Sequence, residues 1–167
     1  MSRCRRCGGE YGPSEPVTVP LRALPTVQVS GISGQKCAGC GDLKYAVPNM
    51  EDLFRVVAGL LVQKPERLSG AEARFLRKWL GWSGQDTADR LGFTPEHVSR
   101  WENDRVPISE TADKLLRSLV MAREPIDDYA AWDARLASIA KSDPEPLPLR
   151  MVLKGRTWAR AASAPEG

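Results

Sequence analysis

Two CxxC pairs, Cys4-Arg5-Arg6-Cys7 and Cys37-Ala38-Gly39-Cys40, use every cysteine of the 167-residue chain. Two residues between ligands let both thiolates of a tight turn face one side, and two such turns build the tetrahedral four-sulfur shell that Zn2+ accepts. Gly8 and Gly41 each follow the second cysteine of a pair, where a turn asks for positive φ. The 29 residues between the pairs exceed the common spacing and suit an inserted hairpin. Disulfides or a redox CxxC are the alternatives. A thioredoxin-like centre, however, uses one CxxC beside a βαβ pattern, and a catalytic zinc needs an open position that four thiolates do not leave. The expectation is one structural Zn2+ per chain on Cys4, Cys7, Cys37 and Cys40.

A second set of chemically capable residues falls between Thr94 and Asn103. Val98 and Trp101, three apart, would face a core. That leaves Glu96, His97, Ser99, Arg100 and Asn103 on the outer side of a short helix, where side chains can reach base edges. A guanidinium takes the O6/N7 edge of guanine with two hydrogen bonds, discriminating by roughly 1–3 kcal/mol, so Arg100 is the expected base reader. A phosphate contact, or an ion pair with Glu96 at i−4, is the competing reading. Glu96 can accept from a cytosine N4 group, although near phosphates a carboxylate more often lowers affinity and selects against wrong sequences. His97 is the only histidine; without companions it is a poor metal or catalytic group, and a DNA contact is expected of it. Thr94, which opens the segment, is counted with these DNA-contacting residues.

The elements that would position these groups are announced by their caps. Ser69 with Glu72 forms a capping box before Phe75, Leu76, Trp79 and Leu80, and Gly81 ends that helix. Ser83 with Asp86 opens a short second helix with Ala88 and Leu91 inward and Gly92 just past its end. Thr94 caps a third, with Pro95 at its first position. Ser109 caps a fourth, bearing Leu115, Leu116 and Leu119. Two short helices joined by a glycine-containing turn are a helix-turn-helix, and the small Ala88 allows close crossing. Upstream, Val17, Val19 and Leu21, then Val27 and Val29, alternate as a two-stranded hairpin. A ribbon of about 48 residues with so few large apolar groups would draw much of its stability from metal. Asn49 with Asp52 resembles a capping pair for a helix carrying Met50, Leu53, Phe54, Val57 and Leu61. That face would pack on the ribbon or the next domain, or serve a dimer or partner protein.

The run Gln85-Asp86-Thr87-Ala88-Asp89-Arg90-Leu91-Gly92-Phe93-Thr94, followed by Val98-Ser99-Arg100-Trp101-Glu102-Asn103, resembles the Cro/repressor-type helix-turn-helix. With the CxxC pairs upstream, the order over roughly residues 1–120 resembles the MqsA-type antitoxin family, in which a zinc-bound N-terminal domain precedes a dimeric helix-turn-helix domain. The resemblance implies a phosphate contact for Gln85, which opens the second helix, where a backbone N–H suits an anion in any case. It also implies that Trp101 and Glu102 are structural. An asparagine falls near Glu96 in that family, so the operator should differ. The function implied is sequence-specific repression of a palindromic double-stranded DNA operator by a homodimer, with autoregulation and masking of a cognate toxin protein. The alternative is a stand-alone phage or mobile-element repressor with a structural zinc domain and no toxin.

The fold class expected is mainly α with a small β zinc ribbon. The division expected is a four-cysteine ribbon over 1–48, a connecting amphipathic helix over 49–65 and a helix-turn-helix domain over 66–122. Beyond it come an additional helix over 123–142, with Tyr129, Trp132, Leu136 and Ile139 at helical spacing, and a proline-rich linker with a basic tail over 143–167. No apolar run approaches the roughly 20 residues needed to cross a bilayer, and no secretory pattern follows the basic start. A cytoplasmic, reducing location is expected. An enzyme is not, because the sequence offers no open metal site, nucleophile–base pair or phosphate-cradling glycine loop. Net charge is +3, too small by itself to argue for nucleic acid, and residues 70–122 balance eight Lys/Arg with eight Asp/Glu.

Overall fold

A computed structural model of the chain describes residues 3–123, 139 and 144–162. It divides into two compact units, Met1–Leu53 with Pro148–Gly167, and Phe54–Leu147.

The first unit is built of strands. β1 (Tyr11–Pro13), β4 (Gly34–Cys37) and β5 (Leu43–Tyr45) form an antiparallel sheet in the order β1-β4-β5. β2 (Val17–Leu21), β3 (Leu24–Ile32), β6 (Leu149–Lys154) and β7 (Thr157–Arg160) form a second sheet in the order β2-β3-β6-β7. The predicted hairpin is β2–β3, with Val17 opposite Ile32 and Val19 opposite Val29. β6 then adds to β3 in parallel, Val27 opposite Leu149 and Val29 opposite Met151. Val19, Leu21, Leu24, Val27, Val29, Ile32, Leu149, Met151 and Trp158 are all buried in this unit.

Two expectations change here. Residues 149–160 are a hairpin rather than a basic tail, because Leu149 and Met151 alternate with exposed Arg150 and bury beside β3. With seven strands and five helices among the described residues, the class is α+β rather than mainly α with a small ribbon. The two-residue turn closed by Lys154 and Thr157 has Gly155 at φ 65°, a conformation a β-carbon disfavours. Its neighbours are anchored. Trp158 donates its backbone N–H to Asp52 Oδ2 (3.0 Å) and its indole N–H to the Pro48 carbonyl (3.1 Å), and Asn49 Nδ2 donates to the Arg156 carbonyl (2.6 Å). Asn49 and Asp52, expected as a capping pair, thus reach the hairpin with their side chains, while the Asn49 carbonyl accepts the first helical bond from Leu53 (3.0 Å).

The second unit is helical. α1 (Met50–Gln63), which begins before the division, buries Val57, Ala58, Leu61 and Val62, and Phe54 meets Phe75 edge-on at 5.4 Å. α2 (Gly70–Trp79), α3 (Gly84–Leu91), α4 (Pro95–Glu102) and α5 (Glu110–Met121) follow. Their predicted N-caps are present: Ser69 and Ser83 form full capping boxes with Glu72 and Asp86, Thr94 accepts from His97 N, and Ser109 accepts from Ala112 N. Gly92 ends α3 in the left-handed region at φ 73°. Phe75, Leu76, Leu80, Ala88, Val98, Trp101, Leu116 and Val120 make the core, whereas Leu115 is exposed. Of the helix expected over 123–142, only Arg123, an exposed turn residue, and Ile139, which is buried, lie within the described residues.

Charge is buried at the base of this unit. Lys64 Nζ meets Glu72 Oε2 at 2.7 Å and Arg117 Nε meets Asp113 Oδ1 at 2.5 Å, with all four side chains at 0% exposure. These four side chains also bond to backbone or to neighbouring chain. Arg117 donates to the carbonyls of Lys64 and Glu66, Asp113 accepts from Leu68 N, and Glu72 accepts from Ser69 N and Leu147 N. Lys64 also donates to the Glu145 carbonyl. Removing one partner of such a pair strands its mate and costs about 3–5 kcal/mol, although replacing both can be neutral.

Candidate metal centre and nucleic-acid interface

The two CxxC turns repeat one hydrogen-bond pattern. Cys4 N donates to Gly9 O (2.8 Å) and Gly8 N to Cys4 O (2.9 Å); Cys37 N donates to Asp42 O (2.8 Å) and Gly41 N to Cys37 O (2.9 Å). Gly8 and Gly41 have φ of 75° and 73°, as the turn requires. The turns bring all four sulfurs within 4.8 Å of one another, with Cys4–Cys40 at 3.7 Å and Cys7–Cys37 at 3.4 Å. A tetrahedron with Zn–S of about 2.3 Å has edges of roughly 3.8 Å, so the set can hold a metal ion such as zinc. The surrounding backbone is correspondingly close: a β-carbon on Gly9 would lie 3.1 Å from Cys37 Sγ, and one on Gly39 would lie 3.1 Å from Cys7 Sγ.

Proton affinities in the cluster diverge. Hydrogen bonding from the Tyr11 hydroxyl, then from the Arg6 backbone, brings Cys4 down to about 6 against the opposing effect of burial. At Cys40 the backbone of Asp42 pulls downward, but hydrogen bonding with Cys7, burial and the other thiols push it up to about 12. Tyr11 also donates to Asp42 Oδ2 at 2.5 Å and is pushed well above the ordinary phenol range, first by that carboxylate. Four thiolates in one place repel, so a dication is the natural counter-charge, and its binding must displace protons.

In the helical unit, α3 and α4 pack closely through the fully buried Ala88. Of the residues singled out from sequence, Glu96, Ser99 and Arg100 are exposed on α4, and among the described residues no ion pair joins Arg100 to Glu96. Thr94 is exposed and spends its hydroxyl on the His97 N–H (3.2 Å). His97 is half-buried. Its ring stacks on Phe93 at 5.3 Å and meets Trp101 edge-on at 5.5 Å. Asn103 is the C-cap, donating to the Ser99 carbonyl (2.7 Å) and accepting from Arg74 (3.0 Å). Gln85 is exposed in the first turn of α3 and donates to Asp89 Oδ1 (2.8 Å).

Several supporting residues have no clear sequence signal. Arg74 and Arg77 of α2 clamp Glu102, with Nε–Oε distances of 3.0 and 2.5 Å. Gly70 N donates to Asp104 Oδ1 (2.7 Å), and a β-carbon on Gly70 would run into the Trp101 carbonyl. Arg90 lies over the Trp82 ring, 4.8 Å from its centre.

Residues 74–119, spanning α2 to α5, match the helix-turn-helix family model of the Cro/repressor type, so the chain carries that domain and is indicated as a DNA-binding transcription regulator. Neither the characterised proteins nor the solved structures contain a significant match to the chain. Among the described residues no helix is long and apolar enough to cross a membrane.

Metal analysis of reduced protein should find one zinc per chain, and loading the stripped protein should release protons. Cys37→Ser should weaken zinc retention by at least an order of magnitude. A folded, reduced sample with no zinc and no affinity for it would contradict the assignment.

Proposed function

We propose that the protein is a sequence-specific transcriptional repressor that binds a palindromic operator as a homodimer, with α4 in the major groove. What carries this reading is the exposure of Glu96, Ser99 and Arg100 on a helix within the matched domain whose opposite face, Val98 and Trp101, is buried. Arg100 reads a guanine edge. Glu96 filters sequences, and Ser99 contacts a base or phosphate. Gln85 and Thr94 lie at the helix starts and meet phosphates. His97 and Asn103 stand on the same helix, and the stacking of one and the capping bonds of the other support an orienting role beside any DNA contact. One helix reads only a few base pairs, so two copies on half-sites one turn apart are needed for useful specificity. Zinc is a scaffold in this reading.

An autoregulatory antitoxin is the finer reading. An open groove of about 490 Å³ runs past Tyr11, Pro13, Ser33, Lys44 and Tyr45 in the zinc-bearing unit, and Leu43 and Tyr45 on β5 are exposed apolar side chains. Such a groove suits a protein partner, here a toxin held by the zinc-bearing unit. In the stand-alone repressor that unit has no partner to cover.

Two experiments test these readings. Selection from a random duplex library should give a palindromic consensus, and Arg100→Ala should lose about tenfold or more in discrimination at one position per half-site; unaltered selectivity would remove α4 as reader. A small protein encoded beside this chain should form a complex that Tyr45→Arg disrupts while DNA binding persists. A neighbour that neither binds nor is toxic would leave the stand-alone repressor.

A further inference from the structure

Charge is divided unevenly between the two units. Met1–Leu53 with Pro148–Gly167 carries ten Lys/Arg against six Asp/Glu, whereas Phe54–Leu147, which holds the helix-turn-helix, carries fourteen against fifteen. Zinc on four thiolates contributes a net charge of about −2 and leaves the first unit positive. Phosphate neutralisation supplies the sequence-independent part of DNA affinity, and a slightly acidic reading unit has little of it to offer. The excess is concentrated in residues 148–162, where Arg150, Lys154, Arg156 and Arg160 occur with no Asp or Glu. All four are exposed, and among the described residues none pairs with a carboxylate.

Three of these cations are presented by fixed backbone. Arg150 and Lys154 lie four apart on β6 and therefore on one face, about 13 Å from each other, on the side away from buried Leu149 and Met151. Their cross-strand neighbours are polar: Gln28 stands opposite Arg150 and Thr157 opposite Lys154. Arg156 forms the tip of the turn, held by Asn49 through its carbonyl and followed by the doubly anchored Trp158. Little backbone entropy is left to lose on binding.

We propose that the β6–β7 hairpin is a second DNA-contacting element, in which Arg150, Lys154 and Arg156 bind backbone phosphates of the duplex that α4 reads. The duplex comes from the repressor reading, but the hairpin supplies something separate, affinity without sequence. The strand cations are too far apart to share one phosphate. The chain passes between the units at residues 53–54 and again at 147–148, so engagement of either raises the local DNA concentration at the other.

The test is a salt series with zinc-loaded full-length protein and a mixed-sequence duplex, read by fluorescence anisotropy. Three proteins are compared: wild type, the hairpin variant Arg150→Gln/Lys154→Gln/Arg156→Gln, and a control, Arg3→Gln/Arg22→Gln/Lys36→Gln, that removes equal charge from exposed sites of the same unit. Three phosphate contacts predict a salt dependence shallower by about 2.7 in the slope of log K against log salt for the hairpin variant. The control should keep the wild-type slope. The preference for a selected operator over mixed sequence should persist in the hairpin variant and fall in Arg100→Ala. An unchanged slope in the hairpin variant, or an equal loss in the control, overturns the proposal while leaving the α4 reading intact. Failure of wild type to bind any duplex overturns both. Should the hairpin variant fail to retain zinc, Arg156→Gln alone at the turn tip should flatten the slope by about 0.9, and no change there also overturns the proposal.

Discussion

Four charged side chains withdrawn from water hold the helical unit together. Lys64 with Glu72, and Asp113 with Arg117, are each fully buried ion pairs, and an unpaired charge at that depth would cost several kcal/mol. They are tolerable because each also satisfies backbone. Arg117 closes off the carbonyls of the connection between α1 and α2, Asp113 takes the Leu68 amide, and Glu72 serves as ion partner, capping-box residue and acceptor for Leu147 at once. One network thereby fixes the start of α2, the middle of α5 and the segment at 144–147. Apolar replacement of both partners can match its stability, but its directional bonds admit few alternative arrangements.

From that fixed α2, the placement of α4 follows. The first residue of α2 must be glycine because the Trp101 carbonyl occupies the space a β-carbon would take, and its amide is held by Asp104. Along the same helix, Arg74 and Arg77 converge on Glu102, and Arg74 reaches Asn103 as well. The C-terminal end of α4 is therefore bonded to α2 at several points, and Val98 and Trp101 fill the core beneath it. Exposure of Arg100, Ser99 and Glu96 is a consequence of that bracing. A reading helix needs such rigidity, since an error of about 1 Å in side-chain position spoils bidentate hydrogen bonding to a base.

The parts legible in the sequence were those whose physics is local. Ser69–Glu72, Ser83–Asp86, Thr94–Pro95, Ser109 and Gly92 satisfy or terminate a helix within four residues, so the helix boundaries could be read from spacing alone. The CxxC turns are equally local, and their two glycines take the positive φ expected. What could not be read is set by partners far along the chain. β6 pairs with β3 in parallel, Leu149 against Val27, and nothing near residue 149 announces a strand beyond a short alternation hidden among prolines and cations. Likewise Glu102 gives no sign that arginines 25 and 28 residues earlier will enclose it. His97, placed by helical phase on the outer side, is drawn partly inward because Phe93 and Trp101 offer it two aromatic faces.

In the proposed reading discrimination and attraction are separated: a charge-balanced helical unit would supply the reading helix, and the basic unit with the four-cysteine cluster would supply phosphate contacts. The most direct measurement is an amide footprint, by NMR shift or hydrogen exchange, of zinc-loaded protein titrated with duplex DNA. The account predicts that residues 84–86, 94–100 and 150–156 respond together. A response confined to α5 or to the β1-β4-β5 sheet, with residues 94–100 silent, would contradict it.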